Sequence, residues 1–427
     1  MNMLVEFNVS NFRSIRERQT LSLTRSKLKE SDKLNENGFL NSSLSGLELL
    51  RSSAVYGPNA AGKSNLLLAL RIMKQVVEES ATEMKRGDEL PVQSFRLDTD
   101  FRDAPTEFEV VFIRQGVRYQ YGFSLTKTRI VEEWLIAFPK GRAQHWFARQ
   151  WEEKKETYQW QMGSSLQGKK QLWKESTRPN ALFLSTAVQL NSQQLQPVYD
   201  WFDDTLRMTS VSGWGPGFTA TLCEKKKYKL KVMDFLKAAD FDINDVIVEK
   251  KLFDSKDLPS DMPDEIRSQI SKKLEGHKVL SELNMVHQDN QGNPVVFDFD
   301  EESDGTRKLF SFAGPWLDTL ENGHVLIIDE LHDNLHPKLV QFLVGLFHSD
   351  VTNPNNAQLV FSTHETSILS SEMFRRDQIW FCEKDRTCAT RLFPLTDFSP
   401  RNRENLEMAY LAGRFGALPY ISHLKRA

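Results

Sequence analysis

Eight residues constrain this chain more than any others: Gly57-Pro58-Asn59-Ala60-Ala61-Gly62-Lys63-Ser64. The apolar run LELLRSSAVY precedes them, and SNLLLALRIMKQVVEE follows with helical periodicity. Strand, glycine-rich turn and helix in that order, with the pattern G-x-x-x-x-G-K-[ST], make a phosphate cradle. Gly57 and Gly62 let the backbone wrap close to phosphate oxygens. The N–H groups from Asn59 through Ala60 and Ala61 to Asn65 point at negative charge, aided by the helix N-terminus. Lys63 is placed to reach β- and γ-phosphates, and the Ser64 hydroxyl to ligate Mg²⁺.

Three further segments fit a nucleotide site. HVLIIDE, residues 324–330, is an apolar strand ending in two carboxylates. Open α/β sheets bind ligands at that edge of a strand. Asp329 is expected to hold Mg²⁺ through water, and Glu330 to orient the attacking water or take its proton. LVFSTHET ends a second apolar strand at His364, where an imidazole can contact the γ-phosphate. Glu302-Ser303-Asp304-Gly305-Thr306-Arg307 opens a helix-like stretch, and Ser303 with Gly305 suits an N-terminal anion site. His332-Asp333-Asn334-Leu335-His336 imitates a zinc helix. Pro337 interrupts any helix through both histidines, and Asp is a poor substitute for the Glu base.

The remaining pattern bounds the class. With 427 residues the chain has room for about three domains. Lys and Arg number 55 against 58 Asp and Glu, so no global nucleic-acid footprint exists. The three cysteines, Cys223, Cys382 and Cys388, exclude a disulfide scaffold. No apolar run approaches membrane-spanning length, and the charged N-terminus does not read as a signal peptide, so a cytoplasmic location is expected. Residues 4–15 read as a strand. Residues 107–160 alternate with period two, giving an antiparallel sheet with a hairpin about Gln115-Gly116. Five of the nine tryptophans fall between Trp134 and Trp173, suiting cross-strand packing better than base stacking. Three stretches within 190–280 carry helical periodicity, with a basic run at Lys225-Lys226-Lys227. A hairpin is expected at Asn290–Asn293, α/β alternation after Gly323, and a short helical tail from Asn402.

Taken in order, these motifs resemble the ATPase heads of the ABC, SMC and RecF class. Gly57 to Ser64 looks like Walker A, Ser303-Asp304-Gly305 like the ABC signature, and HVLIIDE like Walker B. Asp333 to Pro337 looks like the D-loop, and His364 like the switch histidine. Asn11-Phe12-Arg13-Ser14 resembles the first-strand motif of RecF-like heads, whose Arg lies near the nucleotide; here that is Arg13. Gln93 is the candidate for the Q-loop metal ligand. The tail from Glu383 to Pro419 narrows the resemblance to stand-alone prokaryotic ATPases of the OLD-like AAA subfamily, including RloA-type proteins. ESDGT in place of LSGGQ argues against a membrane transporter head, and the chain after His364 is too short for a Toprim nuclease.

The resemblance implies an α/β, ABC-type (SMC/RecF-like) P-loop ATPase head with an antiparallel β subdomain and a helical insertion. Its expected parts are lobe one at 1–190, the insertion at 191–285 and lobe two at 286–427. ATP and Mg²⁺ are the implied ligands. Two copies would sandwich ATP head to tail, Ser303 of one facing the phosphate loop of the other. The implied partner is a separate nuclease or toxin in anti-phage defence. A RecF-like ATPase binding DNA itself, or a scaffold holding ATP constitutively, are the alternatives; no membrane is involved.

Overall fold

A computed structural model describes residues 2–40, 46–208, 214–254, 258, 262, 266–268, 271–272, 276, 278–401 and 404–419. The chain forms two compact units. The first comprises Met1–Val211, Thr319–Asp333 and Val340–Ala427, and the second Ser212–Asp318 and Asn334–Leu339.

Two sheets build the first unit. The antiparallel sheet contains β1 (Asn2–Ser10), β2 (Gln19–Ser22), β6 (Thr106–Arg114), β7 (Val117–Leu125), β8 (Ile130–Phe138), β9 (Gln144–Glu152) and β10 (Thr157–Met162), in the order β10-β9-β8-β7-β6-β1-β2. β6 and β7 close directly about Gln115 and Gly116, both at positive φ, the geometry of a two-residue hairpin turn. A short ribbon of β3 (Gly38–Leu40) and β4 (Glu48–Leu50) precedes β5 (Ser52–Tyr56).

β5 belongs to the second sheet with β11 (Leu206–Met208), β15 (Val325–Ile328), β16 (Gln358–Ser362), β17 (Ile379–Lys384) and β18 (Thr390–Pro394), in the order β11-β15-β16-β5-β17-β18. All neighbours run parallel except β17 and β18. β5, β15 and β16 are buried along their whole length, as a sheet covered on both faces requires.

Helix α1 (Lys63–Glu79) buries Leu66, Leu67, Ala69, Leu70, Met73, Val76 and Val77. These join one core cluster with Phe7, Phe108, Phe112 and Phe123 of the antiparallel sheet and Val55, Val325 and Val360 of the parallel one. Burial of each large side chain contributes about 1.5–3 kcal/mol, so α1 is clamped where the two sheets need it. A buried ion pair adds order: Arg149 and Glu133, both fully buried, meet at 2.8 Å. Glu133 also accepts from Phe183 N, Leu184 N and Tyr121 Oη.

Two expectations change. β1 stops at Ser10, not at residue 15. Asn11 turns at positive φ, and its side chain is captured by the carbonyls of Phe101, Ala104 and Pro105 and by Phe95 N. The stretch expected as a helical insertion is mixed. Helices occupy Gly217–Cys223 and Lys226–Ala238, but β12 (Asp245–Leu252), β13 (Lys278–Gln288) and β14 (Pro294–Asp298) form an antiparallel sheet. DVIVEKKL holds the β-branched run Val246-Ile247-Val248 but no period-two alternation, and it lies among helical patterns. Much of the expected helix DEIRSQISKKLEGHKVL, and Asn402, lie outside the described residues. The tail helix is Leu406–Leu411, capped by Asn405 onto Met408 N.

The second unit carries the Ser303 segment within itself. The β13–β14 hairpin turns through Asp289–Asn293. Ser303 then caps the helix Asp304–Asn322, its hydroxyl meeting Thr306 N at 3.1 Å and Thr306 Oγ1 at 2.8 Å. Thr219 Oγ1 accepts from Gly314 N ahead of Pro315, tying the preceding helix pair to it.

Candidate functional site

The loop between β5 and α1 is held from below by the β17–β18 hairpin. Gly57 sits at φ 149° and a Cβ there would lie 2.1 Å from Cys382 O. Gly62 sits at φ 109°, where a Cβ would meet Thr390 Oγ1 at 2.0 Å. Both positions therefore exclude a side chain on steric as well as conformational grounds. Ala60 adds a positive φ of 62° between them. This alternation turns backbone N–H groups toward one concavity.

A chain of hydroxyl hydrogen bonds fixes the same loop. Asn65 Nδ2 donates to Ser14 Oγ at 2.7 Å. Ser14 Oγ and Thr390 Oγ1 are 2.8 Å apart, and Thr390 Oγ1 donates to Ala61 O at 2.9 Å. With Thr390 committed as donor to Ala61, Ser14 must donate to Thr390. Thr390 N also donates to Ser14 O, and Cys382 Sγ lies 3.4 Å from Ala61 O. Thr390 carries no signal in the sequence, and neither the motif that holds Ser14 nor the cysteine count that includes Cys382 points to this contact. The three residues are remote from the loop in the chain, and a lone Thr or Ser carries no periodic signal.

The strand ends bring the expected chemistry to Lys63. Its ammonium donates to Gly57 O at 2.8 Å, Pro58 O at 3.1 Å and His364 Nε2 at 3.0 Å. His364 Nε2 is thus the acceptor and its proton sits on Nδ1. His364 Nε2 also lies 3.8 Å from Glu330 Oε1. Burial, the Lys63 charge and His332 hold the imidazole pKa below its ordinary value, against the opposing pull of Glu330 and Asp329. Burial likewise lowers Lys63, opposed by Cys382, Asp329 and Glu330. Ser362, a residue not anticipated, organises the carboxylates: its hydroxyl donates to Asp329 Oδ1 and accepts from Glu330 N at 2.9 Å. Glu330 stands at φ 53°, outside the usual range for a side-chain-bearing residue. Ser362 holds this turn on both sides, since Leu331 N donates to its carbonyl. The backbone that carries the Glu330 side chain is thereby fixed in position.

The donor set fits a nucleotide. α1 begins at Gly62 with no side-chain cap, leaving its first N–H groups for an anion. Lys63 meets no carboxylate within ion-pair distance among the described residues, with Asp329 and Glu330 acting on it only at longer range. Ser64 and Asp329, both exposed, supply oxygen ligands of the kind Mg²⁺ takes.

Other expected residues are placed differently. Arg13, at φ 49°, is exposed with its guanidinium 5.9 Å from the Phe12 ring. Gln93 is exposed; its backbone carbonyl accepts from Arg13 N at 2.8 Å, and no hydrogen bond joins its side chain to Ser64 or Asp329 among the described residues. Ser303 and Gly305 belong to the second unit. Residues 331–335 form turns and the next helix starts at Pro337, so no zinc helix runs through His332 and His336.

A family model described as "AAA domain, putative AbiEii toxin, Type IV TA system" matches residues 52–370. The chain belongs to this family. The matched span runs from β5 through the phosphate loop, Asp329 and Glu330 to His364. The SMC head domain from Thermotoga maritima is 14% identical with a TM-score of 0.39, covering 92% of this chain and 98% of that one. An SmcHead bound to the C-winged helix domain of ScpA is 11% identical with a TM-score of 0.42, covering 92% and 97%. No curated protein matches. This AAA domain is an α/β P-loop ATPase fold with an added antiparallel sheet. Among its described residues no helix is long and apolar enough to cross a membrane.

Proposed function

We propose that this chain hydrolyses ATP with Mg²⁺ and acts as a nucleotide-driven switch for a separate effector, a nuclease or toxin, in anti-phage defence. The observation that carries the reading is the meeting of Lys63, His364, Glu330 and Ser362 at the carboxyl ends of β15 and β16, beside the phosphate loop.

Lys63 would leave its two carbonyls and His364 for phosphate oxygens, a trade of neutral acceptors for charged ones. Ser64 and Asp329 would hold Mg²⁺, which neutralises phosphate charge when bound. Glu330 would accept the proton of the attacking water, its backbone fixed by Ser362. His364, released from Lys63, would donate toward the γ-phosphate from Nε2 after moving its proton from Nδ1 to Nε2. Gln93 would serve as a further metal ligand and Arg13 as a phosphate contact only if their exposed side chains turn toward bound nucleotide.

Ser303 and Gly305 would serve the phosphate loop of a second copy, so that ATP joins two chains with two-fold symmetry. Loss of the γ-phosphate contact would then loosen the pair. The family description, which names a putative toxin and a toxin–antitoxin system, supports an effector encoded separately. The tail from Glu383 to Pro419 supports the OLD-like, RloA-type subgroup.

Glu330→Gln removes the base while keeping the side-chain volume. It should bind Mg-ATP, lose turnover by about 10²-fold or more, and accumulate as an ATP-dependent dimer in native mass measurements. Turnover at the unmodified rate would remove Glu330 from the role. A mass independent of ATP would refute the sandwich.

A further inference from the structure

The tail helix Leu406–Leu411 belongs to the first unit and reaches two elements of the nucleotide site. Its sequence places Leu406 and Tyr410 four residues apart, and both are buried. A helix of six residues is marginal by itself, so packing holds it. The Tyr410 ring stacks on Phe381 of β17, with centroids 5.3 Å and planes 18° apart. Its hydroxyl donates to Ala417 O at 2.8 Å, and Ala417 N donates to Glu383 Oε2 at 3.1 Å. The tail is thereby folded back onto β17.

From this seat the helix makes two contacts of interest. The Tyr410 ring meets the ring of Tyr56 at 6.3 Å, and Tyr56 directly precedes Gly57. Glu407, three residues before Tyr410 and on the same side of the helix, accepts from Thr366 Oγ1 at 3.0 Å. Thr366 sits two residues past His364. One short helix therefore backs both the start of the phosphate loop and the turn that follows the histidine.

That turn can transmit position. Thr363 N donates to Val55 O of β5 at 3.1 Å, and Glu365 N donates to Thr363 Oγ1 at 3.0 Å. The Glu365 carboxylate accepts from Ser367 N at 3.0 Å, and Leu369 N donates to Thr366 O at 2.9 Å. Ile368 and Leu369 are buried. The backbone is pinned on both sides of His364, so the place where Thr366 is held sets where the imidazole sits. Thr366 and Glu407 are both half-buried, and a hydroxyl donating to a carboxylate is among the stronger hydrogen bonds.

We propose that Glu407, acting through Thr366, positions the His364 imidazole against Lys63 and for the γ-phosphate. Glu407 and Thr366 are positioning residues, since each acts through the histidine. The inference rests on the proposed role of His364 in ATP hydrolysis, and deepens it by naming what holds that side chain.

The test uses the full chain and two readouts. Thr366→Val deletes the hydroxyl at nearly constant volume, Glu407→Ala removes the acceptor, and Glu407→Gln keeps an acceptor oxygen. The first readout is the His364 titration midpoint by NMR, without nucleotide. Burial, Lys63 and His332 hold that midpoint down, against Glu330 and Asp329. An imidazole released from its place moves away from Lys63, so the midpoint should rise by about half a pH unit or more in Thr366→Val and Glu407→Ala, and stay in Glu407→Gln. Loss of the Glu407 charge alone would act in the opposite direction. The second readout is Mg-ATP turnover. Thr366→Val and Glu407→Ala should lower kcat about tenfold with the Kd for Mg-ATP within twofold, and Glu407→Gln should restore the rate. In a His364→Ala background Thr366→Val should cost nothing further. A midpoint unmoved by Thr366→Val, or a full additional loss of kcat in the His364→Ala background, would overturn the proposal. A raised midpoint with kcat at the parent rate would fail the role of His364 in hydrolysis and not its positioning by Glu407.

Discussion

Thr390 offers the sharpest test of how the phosphate loop is built. Its hydroxyl receives the Ser14 hydroxyl and donates to Ala61 O, inside the loop, over 2.8 and 2.9 Å. Thr390→Val keeps the shape and deletes both bonds. A net hydrogen bond contributes about 1 kcal/mol, so the pair amounts to about 2 kcal/mol. If that energy holds the loop in its binding geometry, its loss reduces the competent fraction, and the Kd for Mg-ATP rises by as much as about thirtyfold. Calorimetric titration measures this directly, with Lys63→Ala as the non-binding reference. Ser14→Ala breaks the same chain, since Asn65 then loses its acceptor. The double variant should therefore cost less than the two singles added, with a coupling of about 0.5 kcal/mol or more. An affinity within twofold of the parent, together with an unchanged unfolding midpoint, would refute the reasoning.

Glu133→Ala should destabilise the first unit by about 3–5 kcal/mol, because it strands the fully buried Arg149 guanidinium; urea unfolding showing a loss under about 1 kcal/mol would contradict this. His348 is partly buried, and desolvation with the nearby Arg51 charge pushes its pKa down to about 3. Its folded pKa lies below the unfolded one, so the unfolded chain binds the extra proton. Stability is intact above about pH 6.5 and falls by up to about 1.4 kcal/mol per unit as pH drops toward 3. A His348→Gln variant should show a shallower acid limb in the same window, and an identical slope would exclude His348 as its source. His364 should titrate below the ordinary histidine range by NMR, and Lys63→Met should raise its midpoint by removing a neighbouring positive charge; a midpoint that does not move would deny the Lys63–His364 contact.

Local chemistry made much of this protein legible as a string of residues. Glycines at Gly57 and Gly62 ahead of Lys63 and a helical run specify a phosphate loop. Their roles depend on backbone freedom and on neighbours within one turn. The hairpin at Gln115-Gly116 was readable for the same reason: two positions that tolerate positive φ between alternating strands. Asp329 and Glu330 announced themselves by closing an apolar strand.

Tertiary structure alone decided which remote groups complete the site. Thr390 lies 329 residues from Ala61, and Ser362 lies 33 from Asp329, yet each supplies a hydroxyl that the loop or the carboxylates require. The crossovers of the parallel sheet set those distances, and no spacing rule along the chain encodes them. Asn11 ended β1 early through carbonyls about ninety residues away, overriding an alternating pattern that reads as continuous strand. β12 shows the same dependence: DVIVEKKL has no period-two alternation, and pairing with β13 made it a strand. Short-range steric and capping rules act between neighbours and survive in sequence. Burial, register and hydroxyl networks act between segments, and exist only once the sheets have formed.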